Sequence, residues 1–68
     1  MKYSYDLYNK NGRVKGGALS EKHYNDVINS EYKLIKEWET EFNDYILYAR
    51  RYDLGDGFEL YIWKEVSK

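Results

Sequence analysis

Sixty-eight residues with no Cys, one His and a formal net charge of −1 allow one domain, 1–68, and few devices to hold it together. Disulfides are excluded. A structural zinc site wants four Cys or His ligands and has only His23 to draw on. Near-neutral charge argues against a dedicated binder of nucleic acid or of a membrane surface.

A chain this short buries only about 60% of its unfolded surface, so packing must be efficient or shared with a partner. Nine Tyr, two Trp and two Phe supply the area; each ring can bury roughly 150–250 Å². Charge is uneven: four basic residues against Asp6 in residues 1–20, seven acids against three Lys in 21–47, and four of each sign in 48–68. No apolar run approaches the roughly 18 residues of a membrane span, and Met1–Asp6 lacks the apolar core of a signal peptide. With no Cys, this leads us to expect a cytoplasmic protein. The lean toward Lys, Asn, Tyr, Ile and Glu suggests a low-GC bacterium or one of its phages.

Tyr3–Tyr8 reads as a strand, alternating Tyr3, Tyr5 and Leu7 with Ser4, Asp6 and Tyr8. Asn9-Lys10-Asn11-Gly12 suits a type I turn with Gly12 in the left-handed region, and Arg13–Ala18 returns as a second strand weakened by Gly16-Gly17. Residues 21–42 place Tyr24, Val27, Ile28, Leu34, Ile35, Trp38 and Phe42 on one arc of a helical wheel, at about 100° per residue. This predicts one long helix capped by Ser20, with Ile28, Ile35, Trp38 and Phe42 buried. About 22 helical residues would span about 33 Å and overhang a seven-residue strand of about 23 Å; a break at Asn29-Ser30 would remove the mismatch. The rival reading makes 32–42 a strand, with Trp38, Thr40 and Phe42 opposite Glu37, Glu39 and Glu41.

Tyr45–Tyr52 and Phe58–Val66 read as two more strands. A four-residue loop, Leu54–Gly57, would set Asp53 opposite Phe58. One face then holds Tyr45, Leu47, Ala49, Phe58, Leu60, Ile62 and Val66, and the other Ile46, Tyr48, Arg50, Tyr52, Glu59, Tyr61 and Trp63. The expected fold is α+β, in the order β-β-α-β-β: a four-stranded antiparallel sheet with one helix, broken or continuous, packed on one face.

No catalytic, metal or cofactor site is expected. His23 lies on the polar arc without an orienting partner. Gly16-Gly17 lacks the Lys and Ser/Thr of a phosphate loop, and Asp53–Gly57 fails calcium-loop spacing. What remains is the aromatic face: Tyr48, Arg50, Tyr52, Tyr61 and Trp63, residue types enriched at binding hot spots. The expectation is a small non-enzymatic protein-binding module that meets another protein or a second copy of itself through that face; a phage- or mobile-element-encoded inhibitor would fit the size. The acidic side around Glu37 and Glu41 is the alternative surface. Single-stranded nucleic acid is the alternative ligand, its bases stacked on the sheet rings and its phosphates met by Arg and Lys; the acids of residues 21–47 count against it.

Overall fold

The computed structural model describes residues 1–68. The chain runs β1 (Lys2–Asn9), β2 (Gly12–Ala18), α1 (Glu21–Ile28), β3 (Lys33–Glu41), β4 (Tyr45–Gly55) and β5 (Phe58–Ser67). All five strands form one antiparallel sheet in the order β2-β1-β5-β4-β3. This corrects the expected four-stranded sheet under a long helix: the fold is mostly sheet, with one short helix.

The helix begins as expected and ends early. Ser20 Oγ accepts from the His23 N–H at 3.1 Å, satisfying one of the free donors of the first turn. At the other end Ser30 Oγ donates to the Val27 carbonyl at 2.6 Å and accepts from the Tyr32 N–H at 3.3 Å. That local bonding competes with another helical turn, so the chain stops at the Asn29-Ser30 weakness and leaves extended. Residues 33–41 then pair with β4, Trp38 beside Ala49 and Glu37 beside Arg50. The strand reading of 32–42 is the one realised. Ile35 and Phe42, expected in the core, are exposed, while Ile28 and Trp38 are half-buried.

The β4–β5 register also differs from the expected one. Asp56 and Gly57 take φ of 56° and 81°, positive at both central positions as a two-residue type I′ turn demands. Gly55 therefore pairs with Phe58, and Leu54 bulges out before Asp53 pairs with Glu59. Asp53 Oδ1 accepts from the Gly55 N–H at 2.8 Å and steadies the bulge. The pairing is shifted by one residue from a four-residue loop, and a one-residue shift exchanges faces between the two strands.

One face carries Tyr3, Tyr5, Leu60, Ile62, Tyr48, Arg50 and Tyr52; the helix lies across its β1–β5–β4 part. Tyr24, Tyr52 and Ile62 are buried there, with Leu19, Val27, Ile28, Leu54 and Leu60 packed around them. Tyr24 meets Tyr3 with ring centroids 4.7 Å apart. The opposite face has no covering element. An eight-residue helix of about 12 Å cannot blanket a five-stranded sheet, and only Tyr24, Ala49, Tyr52 and Ile62 are fully buried. No helix is long and apolar enough to cross a membrane.

Candidate interaction surface

The register divides the five aromatic-face residues expected to act together. Tyr48, Arg50 and Tyr52 lie on the helix-bearing side; Tyr61 and Trp63 lie on the open side. Tyr52 is 2% exposed and belongs to the core rather than to a contact surface.

On the open side Tyr61 and Trp63, two apart on β5, project the same way and stack with centroids 5.9 Å apart and planes 12° from parallel. Trp38 of β3 reaches across the small Ala49 and meets Trp63 edge-on at 5.9 Å. At the other end Tyr8 of β1 meets Tyr61 edge-on at 5.3 Å. The four rings make a continuous stripe across β1, β5 and β3, each half-buried by its neighbours. Cations brace it: Lys36 Nζ sits 5.3 Å from the Trp38 ring and the Arg51 guanidinium 5.8 Å from Tyr61. Arg51 also binds Glu59 at 2.6 Å, which raises its pKa above the usual guanidinium value.

Charge of both signs is interspersed on this side. Lys2, Arg13, Lys33, Lys36 and Arg51 stand among Asp6, Asp53, Glu59 and Glu65, and Arg13 binds Asp6 at 2.9 Å. Gly16 permits that pair, because a Cβ there would collide with the Asp6 carboxylate and the Arg13 guanidinium and lie 2.9 Å from the Tyr5 carbonyl oxygen.

The helix-bearing side keeps a groove of about 850 Å³ between α1 and the β3–β4 edge, where Tyr48, Arg50, Glu37 and Lys64 meet Tyr24 and Ile28. Arg50 donates to the Tyr52 hydroxyl at 3.1 Å and approaches Glu37 at 3.3 Å; the hydrogen bond to Tyr52 is the main cause of its raised pKa. The row Glu37, Glu39, Glu41 does form along β3, but Arg50 takes Glu37 and Lys68 takes Glu41 at 3.1 Å. As an alternative acidic surface it is largely neutralised from within.

From the sequence, Trp38 is expected in the core, Lys36 on the polar arc of the helix, and Arg51 as a phosphate contact in the nucleic-acid alternative alone. Two signals carried the answer: Asp56-Gly57 is the strongest short hairpin signature, and Lys36, Trp38 and Thr40 alternate with the three Glu at strand spacing. Compared with protein-family models, curated proteins and solved structures, the chain shows no match.

Proposed function

We propose that this chain is a non-enzymatic protein-binding module and that its open sheet face, centred on Trp63 with Tyr61, Trp38, Tyr8 and Arg51, is the contact surface. The carrying observation is the four-ring stripe on a face that no part of the chain covers. Surface area agrees with it. The accessible area is 5006 Å² for 8.3 kDa, whereas a compact monomer of this mass exposes about 4,600 Å². Rigid Tyr and Trp rings carry much contact area at little entropic cost and dominate binding hot spots. The four acids interspersed among five bases on the face weaken the single-stranded nucleic-acid reading, which needs clustered positive charge along the backbone track.

The test is capture from bacterial lysate by the wild-type chain and by Trp63→Ala, each first shown to be folded by circular dichroism. Partners held by the wild type and lost by the variant support the reading. Equal recovery by both, with self-association also unchanged, overturns it. A labelled oligonucleotide titrated at low salt should show no binding.

A further inference from the structure

We infer that the occupant of the open face is a second copy of the chain, the two packed face to face about a two-fold axis that runs along the strands between β1 and β5. This rests on the proposed reading of the face and names its partner.

The two halves of the face differ in relief and in charge. On the β5–β4 half, Trp63 stands up beside Tyr61. On the β1–β2 half, the matching positions are small: Ser4 lies opposite Trp63, and Ala18 lies beyond Ser4. A hollow of about 530 Å³ runs from there across β5 to β4, lined by Ser4, Ala18, Lys2, Glu65 and Leu47. The face thus carries the half-buried Trp63 indole on β5 and, beside it, a recess whose floor includes Ser4 and Ala18 in the Trp63 row.

A two-fold axis along that line brings each β5 residue over the partner's copy of its own cross-strand neighbour on β1. Trp63 then sits over the partner's Ser4 and enters the hollow. The same operation places Glu65 over the partner's Lys2, because Lys2 and Glu65 share a row. One strand further out it places Asp53 toward the partner's Arg13, through the rows Asp53–Glu59 and Tyr8–Arg13. Lys2, Asp53 and Glu65 form no ion pair within the chain, so the Lys2–Glu65 contacts displace none, while the Asp53 contact shares Arg13 with Asp6. The arrangement is isologous, so each contact occurs twice. Packed sheets cross at about 30°, which keeps the match closest near the axis.

The area fits a weak, concentration-dependent dimer. Four overlapping strands about 4.8 Å apart, limited to the eight residues of β1 (about 27 Å) and the seven of β2 (about 23 Å), cover roughly 480 Å² per copy. Two copies therefore hide about 960 Å² before side-chain relief is added, in the range of weak, transient interfaces.

The experiment is sedimentation equilibrium of the full chain from low micromolar to millimolar concentration, for the wild type, Trp63→Ala, Lys2→Glu and Glu65→Lys. The wild type should dimerise. Trp63→Ala should weaken association by about thirtyfold or more, as loss of a central hot spot does. Lys2→Glu alone sets carboxylate against carboxylate at both ends of the interface, and Glu65→Lys alone sets ammonium against ammonium; each should cost about tenfold. Mixing Lys2→Glu with Glu65→Lys restores opposite charges at both contacts, so the mixture should form heterodimers more tightly than either variant alone. The mixing arm does not depend on how well Trp63→Ala folds. A wild type monomeric at millimolar concentration overturns the dimer and leaves the face open to a different protein. A dimer indifferent to Trp63 and to the charge exchange also overturns it. Self-association and lysate capture both unchanged by Trp63→Ala is the separate result that sinks the face itself.

Discussion

Replacing Tyr52 tests the β4–β5 register, on which every statement about the two faces depends. Tyr52 is 2% exposed beneath α1 and touches Tyr24 and Ile62. Truncating a buried aromatic to Ala costs about 3–5 kcal/mol, because transfer free energy is lost and a cavity remains. A 68-residue domain has only about 3–10 kcal/mol to lose, so Tyr52→Ala should be barely folded. Tyr52→Phe keeps the ring and removes the hydroxyl that Arg50 donates to at 3.1 Å. Arg50 retains Glu37 at 3.3 Å and partial access to water, so the cost should be about 0.5–1.5 kcal/mol. Tyr61→Ala, on the open face, should cost no more than about 2 kcal/mol, since it removes cross-strand ring contacts without emptying a core site. Urea denaturation followed by tryptophan fluorescence and circular dichroism measures all three. If Tyr61→Ala unfolds the chain while Tyr52→Ala costs less than about 1 kcal/mol, the two strands are shifted by one residue from the pairing described. The faces would then be exchanged.

Alkaline stability should report on Tyr24. Its pKa is raised, chiefly by burial, with the nearby Arg50 charge partly opposing the shift. The folded state holds the phenol proton more tightly than the unfolded chain, so this contribution is complete below the ordinary tyrosine pKa of about 10 and is lost as pH rises through the folded value. Tyr3, raised by burial and then by Glu21, adds to the same slope; Tyr24→Phe should flatten the fall in urea midpoint above about pH 10, and an unchanged slope would contradict the assignment. Gly16→Ala should destabilise by about 1–3 kcal/mol, because the Asp6–Arg13 pair can move aside but the Tyr5 carbonyl, part of the backbone, cannot follow freely; a neutral outcome in thermal melts would show that the strand yields. Ser20→Ala removes the acceptor of the His23 N–H and should cost about 1 kcal/mol, with loss of helical signal before global unfolding. Trp38→Ala, on the open face beside Trp63, should leave the domain folded, at a cost of about 1–2 kcal/mol by urea titration.

Several features follow from the sequence alone. Tyr3–Tyr8, Tyr45–Tyr52 and Phe58–Val66 alternate at strand period and are strands. Ser20 caps the helix, and the Asn29-Ser30 weakness marks its end. That Tyr61 and Trp63 share a face follows from their spacing of two. The sequence could not choose helix or strand for residues 32–42. Leu34, Ile35, Trp38 and Phe42 fit one helical arc, while Trp38 and Thr40 also alternate with three Glu, and short segments satisfy both periods. Tertiary pairing decided it: as a strand the segment gains a full ladder with β4, Ala49 beneath Trp38 and Arg50 beside Glu37. The aromatic surface was half legible for a related reason. Alternation sets which residues of one strand share a face, but the match between two strands depends on the turn. Here Asp56 and Gly57 both take positive φ, and a bulged Leu54 shifts the ladder by one residue. That single residue sent Tyr48, Arg50 and Tyr52 to the helix-bearing side and left Tyr61 and Trp63 to join Trp38 in the open, because side chains on a strand can face only one way or the other.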